Sequence, residues 1–151
     1  MTISFAGHAD ILSGDHLKET LRAQLRPFLT ANRITCYFGG YGGFDELCAS
    51  VCRELKKEYP AIELVYVTPY LHPADQEKVK ALLRQGLYDA SVYPPIEHVH
   101  PRLAILKRNE WMMQQADMVI VYVNRSFGGA YRSLRVAQRA KKTVINVCDF
   151  L

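Results

Sequence analysis

Short, continuous apolar runs alternate along this chain with stretches of helical period, and that alternation restricts the fold more than any other feature. Thr2 to Ala6, Ile34 to Phe38, Ile62 to Val67, Met118 to Val123 and Thr143 to Val147 each read as a strand, and Ala90 to Tyr93 allows a short one. Strands apolar on both faces belong in a parallel sheet covered on both sides. The segments between them supply the covers. Asp15 to Leu29 places Leu17, Leu21, Leu25 and Phe28 on one stripe. Phe44 to Tyr59, closed by Pro60, reads as the next helix, followed by Ala74 to Leu83, Arg102 to Gln115 and Ala130 to Ala140. The expected architecture is α/β: a Rossmann-like three-layer sandwich with a mostly parallel sheet. With no linker or repeat in view, residues 1–151 are expected to form a single domain.

Bulk composition removes some classes of function. No apolar run approaches the roughly 20 residues of a membrane span, and no signal-peptide pattern opens the chain, so a cytoplasmic protein without membrane contact is expected. Cys36, Cys48, Cys52 and Cys148 suit reduced, buried thiols. Cys48 and Cys52 have a spacing that two metal ligands could use, but Leu47, Val51 and Leu55 share their helix, and small core residues are the preferred reading. His72, His98 and His100 match no zinc spacing and are expected to face solvent. Neither metal nor cofactor is expected. The basic doublets Lys56-Lys57 and Lys141-Lys142 are too few to suggest nucleic acid, which is set down as an unlikely partner.

Two glycine clusters, Gly39-Gly40-Tyr41-Gly42-Gly43 and Gly128-Gly129-Ala130, each stand between a strand and a helix. Such a turn leaves backbone N–H groups free at the positive end of a helix and lets a ligand approach the main chain. In an open parallel sheet these turns meet beyond the carboxyl ends of the strands, together with Gly7-His8-Ala9-Asp10 and Thr68-Pro69-Tyr70. The first cluster runs into Asp45 and Glu46, which suit ribose hydroxyls better than phosphate; both could equally serve the helix start. Arg125, Ser126, Arg132 and Arg135 flank the second, which suits an anion. Arg108 could reach the rim or pair with Glu110 or Asp117. The expected ligand is a nucleotide-like small molecule, with its sugar at the first loop and its phosphate at the second.

Phe38-Gly-Gly-Tyr-Gly-Gly-Phe-Asp45, the helix ending Glu54-Leu-Lys-Lys-Glu-Tyr-Pro60 and the strand ending Thr68-Pro69 resemble the YpsA-like branch of the SLOG superfamily. Better-known members are the Smf/DprA proteins and the Lonely Guy cytokinin-activating enzymes. Arg108-Asn109, Met112, Ala116-Asp117, Gly128-Gly129 and Lys141-Lys142-Thr143-Val144-Ile145 continue the resemblance, and Gly7-His8 looks like the family's first turn. It implies a nucleotide-binding Rossmann-like fold. Gly7, Gly39, Gly40, Gly43, Asp45, Arg108, Gly128 and Gly129 would line the site, beside His8, Gly42, Thr68, Arg125, Ser126 and Ala130 from the rim. Two positions depart from the pattern: Ala130 lacks a hydroxyl that relatives often carry, and Ala9-Asp10 follows Gly7-His8 where a basic residue is usual.

Two functions are weighed. One is binding or sensing of a nucleotide-derived ligand without catalysis. The other is a nucleoside-monophosphate N-glycosidase in which Asp45 or Glu46 stabilises an oxocarbenium-like centre or activates water. A homo-oligomer is also expected on family grounds, with the Tyr, Pro and Trp residues near 88–111 as candidate contacts.

Overall fold

The protein is described from a computed structural model covering residues 1–11 and 14–151. Six strands form one all-parallel sheet: β1 (Thr2–Gly7), β2 (Ile34–Phe38), β3 (Ile62–Val67), β4 (Ala90–Val92), β5 (Met118–Tyr122) and β6 (Thr143–Asn146). Their spatial order is β4-β3-β2-β1-β5-β6. The chain therefore works outward from β1 to one edge, returns, and builds β5 and β6 on the other side. The order reverses between β1 and β5, paired in register from Ile3 opposite Met118 to Gly7 opposite Tyr122. That reversal opens a crevice at the strand ends, the usual ligand position in such sheets.

Five helices cover the sheet: α1 (Asp15–Leu25), α2 (Gly43–Lys56), α3 (Pro73–Arg84), α4 (Ala104–Gln115) and α5 (Gly129–Arg139). The period-two geometry of the strands sorts their apolar residues between two cores. Met118 and Ile120 join Ile3, Phe5, Cys36 and Phe38 under Leu21, Cys48, Val51 and Cys52 of α1 and α2. Val119 and Val121 face the other way, onto Met112, Met113 and Ala137 of α4 and α5. Both sheet faces are dry, which is why β5 carries no polar alternation.

Two helices end earlier than their apolar stripes suggest. α1 stops at Leu25 and Arg26–Phe28 forms a 3₁₀ turn, because Pro27 has no N–H to continue the α pattern. α2 ends at Lys56, and Tyr59 closes the turn by donating to the Leu55 carbonyl at 2.8 Å. α3 has no buried residue, so it is the most loosely packed of the covers. Among the described residues, no helix is long and apolar enough to cross a membrane.

Candidate functional site

Both glycine loops lie at the carboxyl end of the sheet and border one pocket of about 290 Å³, near the low end of the roughly 300–1,000 Å³ typical of ligand sites. The walls come from the end of β1 (Gly7, His8, Ala9), the first loop (Gly39, Tyr41, Asp45), α4 (Arg108, Asn109) and the second loop with α5 (Arg125, Gly129, Ala130, Ser133). Gly42 and Gly128 each stand just before a helix with nearly the same backbone, φ 92 and ψ 166 for one, φ 92 and ψ 177 for the other. Only glycine adopts that conformation without strain. The turn lets Gly129 begin α5 with its first amide groups open at the positive end of the helix.

Asp45 is buried and turns back over its own loop. Its carboxylate accepts the Gly40 amide at 2.8 Å and the Gly39 amide at 3.3 Å. Burial pushes the carboxyl up to about 6, against those two hydrogen bonds and the nearby Arg108 charge. Arg108 is buried too, and its guanidinium ties the ends of two strands. One Nη donates to the Gly39 carbonyl at 3.0 Å and to the Val67 carbonyl at 2.7 Å, while Nε donates to Asn109 Oδ1 at 2.8 Å. It pairs with neither Glu110 nor Asp117, the partners suggested by sequence.

His8 extends β1 past its last residue: its amide donates to the Tyr122 carbonyl at 3.2 Å, and its Nε2 accepts the Asn124 amide at 3.1 Å. That hydrogen bond requires an unprotonated Nε2, and burial, then the Arg125 charge, holds the imidazole below its ordinary value. Arg125 meets both oxygens of Asp10, at 3.1 and 3.3 Å, and lies 5.1 Å over the Phe127 ring. Its Nε is enclosed by protein and has no acceptor among the described residues.

Several expected site residues lie elsewhere. Glu46 opens instead on a cleft with Gly40, Tyr66, Lys78 and Tyr88, so the two neighbouring acids do not converge. One residue further along a helix turns a side chain by about 100°, enough to separate them. Thr68 and Gly40 border an adjoining cleft that shares Gly39, Tyr41 and Arg108 with the pocket, and the Thr68 hydroxyl donates to the Tyr70 carbonyl at 2.9 Å. Ser126, Gly128, Gly42 and Gly43 shape the loops without lining the pocket. Arg132 and Arg135 face a neighbouring groove between α4 and α5. Sequence reasoning missed Ser133, which helical spacing does predict: four residues after Gly129, it lies on the same face. Tyr41, at the loop tip and 80% exposed, also lines the pocket.

Residues outside the pocket also find their places. Cys36, Cys48 and Cys52 are buried in the core, and Cys148 is half-buried. His72, His98 and His100 are exposed. Among the described residues no group of three or more His, Cys, Asp or Glu side chains is gathered for a metal. Tyr88 packs against Phe38 and Tyr66, and Trp111 against Tyr37, so these rings, expected at contacts between copies, have partners within the chain.

Residues 10–147 match the YspA SLOG family, and the chain belongs to it. No curated protein matches. Two solved structures share the fold. DNA processing protein A from Helicobacter pylori is 17% identical with a TM-score of 0.58, over 95% of this chain and 63% of that one. DNA processing protein A from Streptococcus pneumoniae is 13% identical with a TM-score of 0.61, over 95% of this chain and 48% of that one. The chain thus spans less than two thirds of either neighbour. The Helicobacter pylori protein has a unique single-stranded DNA binding mode, and this overturns the expectation that nucleic acid is an unlikely partner. Basic doublets are a poor guide, because folding, not adjacency in sequence, decides which cations share a surface.

Proposed function

We propose that this SLOG-family chain binds a nucleotide or nucleotide-derived ligand in the rim pocket, as a binding or sensing module. Its anionic group would lie at the start of α5 and its sugar toward Asp45. Arg125 carries this reading. It stands at the pocket wall with Gly129 and Ala130, where α5 begins, and among the described residues its carboxylate partner is exposed Asp10. A phosphate arriving there would compete with Asp10 for the fork.

The glycosidase alternative has less support. Glycoside hydrolysis generally uses two carboxyl groups flanking one bond. Here Asp45 is occupied by the loop amides, and Glu46 opens on another cleft. A nucleotide within a single strand is a second reading, favoured by the DNA-binding Helicobacter pylori neighbour and by the exposed rings of Tyr41 and Phe127, which offer stacking surfaces.

The test is thermal stabilisation by a panel of nucleoside monophosphates and their nucleosides. Arg125→Ala should weaken the monophosphate about tenfold or more, as expected for a lost charged hydrogen bond, and leave the nucleoside nearly unchanged. Equal losses for both would refute the phosphate assignment. Release of free base, followed by chromatography and abolished in Asp45→Asn, would restore the enzyme reading.

A further inference from the structure

Charge is distributed unevenly along this chain. Residues 118–148 hold six of the nineteen Lys and Arg residues and none of the fifteen Asp and Glu residues. Arg132, Arg135 and Arg139 fall at i, i+3 and i+7 of α5, which places them along one helix face. All three are exposed. Among the described residues none has a carboxylate partner, and Arg135 bonds only the neutral Gln138, at 2.9 Å. They line a groove of about 340 Å³ between α4 and α5, with Leu106 and Tyr131. The one carboxylate in that lining, Glu110, is taken by Lys107 at 3.1 Å. Like charges at this spacing repel one another, and among the described residues no carboxylate pairs with any of the three.

The groove adjoins the rim pocket, with Asn109 and Ser133 in both linings. A ligand unit in the pocket and a charged extension of that ligand in the groove would therefore lie on either side of these two residues. We propose that the α4–α5 groove is a phosphate track for a single-stranded nucleic acid, one nucleotide of which occupies the rim pocket. The pocket half of this picture rests on the nucleotide reading above; the track is a separate surface. Guanidinium forks suit successive phosphates better than a point charge does. A duplex fits poorly, because the pocket can hold only a nucleotide free of its stack, and Tyr41 at its mouth provides a surface for an unpaired base.

The experiment follows fluorescence anisotropy of a labelled oligothymidylate of about 12 nucleotides, bound to the full chain across a salt series. Thymidine monophosphate, read by thermal shift, probes the pocket alone. Arg132→Gln, Arg135→Gln and Arg139→Gln combined should weaken the oligonucleotide by tenfold or more. Each lost phosphate contact should flatten the slope of log affinity against log salt by about 0.7, so by about 2 for the three. The matching Arg→Lys triple should keep most of the slope, and neither triple should alter monophosphate binding. An unchanged slope in the glutamine triple, with the variant folded by circular dichroism, overturns the track. So does displacement by polyglutamate as effective as by unlabelled oligonucleotide, which would indicate an acidic protein partner. Monophosphate binding without a slope change keeps the pocket and removes the track. A slope change without monophosphate binding does the reverse.

Discussion

Asp45 sits at the start of α2, where a carboxylate is favoured by the helix dipole, yet it is only 7% exposed. These two influences oppose one another, and desolvation wins: the folded carboxyl protonates near 6 rather than 3.8. Between those values the folded state holds more protons than the unfolded chain. The associated stability is therefore complete below 3.8 and lost as pH rises through 6. Two pKa units correspond to about 3 kcal/mol. Thermal midpoints of the wild type and Asp45→Asn, compared from about pH 4 to 7, should show the wild type falling relative to the variant as pH rises. A constant difference would refute the shift. The comparison uses the slope, since the asparagine amide also changes the contact with Gly39 and Gly40. Gly7 tests packing rather than charge. A Cβ there would lie 2.3 Å from a ring carbon of Phe44, which is fully buried. Gly7→Ala should cost about 1–3 kcal/mol through overpacking, seen as a lower denaturation midpoint with an unchanged m-value.

The two loop–helix junctions share a backbone but not a setting. Beside Gly42 a Cβ would meet the Ala9 backbone at 2.9 Å, whereas beside Gly128 it would meet nothing within 4 Å. Gly128→Ala should therefore cost about 1–3 kcal/mol of backbone strain alone. Gly42→Ala should add a clash and destabilise more in the same chemical melt; equal losses would show that packing at Ala9 is immaterial. Both junctions were visible in the sequence, as glycine clusters between an apolar run and a helix. The strands were equally visible, because two-sided burial leaves continuous apolar runs such as Met118 to Tyr122. Helix ends were less so: Pro27 removes a donor inside an apolar stripe that otherwise continues to Phe28. The site was legible in outline and not in detail. Glycines, Asp45 and Arg125 could be assigned to one rim from topology. That Glu46 would diverge from Asp45 follows from helical spacing, but that Asp45 would bend back onto Gly40 and that Arg108 would bond two strand ends depends on side-chain directions that no spacing rule fixes. Arg108 deserves its own measurement: Arg108→Met leaves the Gly39 and Val67 carbonyls without their charged donor and should cost about 3 kcal/mol.

Across the whole molecule, the sheet is two blocks joined along one seam. β1 to β4 form one block and β5 with β6 the other, and the order reverses where β1 meets β5. The seam carries the pocket, so the crevice that admits a ligand is also where the blocks could part. His8 fastens it just beyond the last paired residues, through its amide to Tyr122 and its Nε2 to Asn124. The imidazole must be neutral to accept that bond, and its folded pKa lies below 6.5. Above 6.5 this stabilisation is complete; as pH falls through the lowered folded value, the unfolded chain takes up the proton first and stability declines. The sign is opposite to that of Asp45, so each group needs its own variant. His8→Gln supplies a carbonyl acceptor that does not titrate. Between about pH 7 and 5 the wild type should lose stability relative to His8→Gln, measured by denaturant unfolding at each pH. Protection of the Asn124 amide relative to its intrinsic exchange rate at each pH should fall over the same range in the wild type alone. Parallel unfolding curves, with the Asn124 amide equally protected at both pH values, would mean that backbone pairing of β1 with β5 holds the seam unaided.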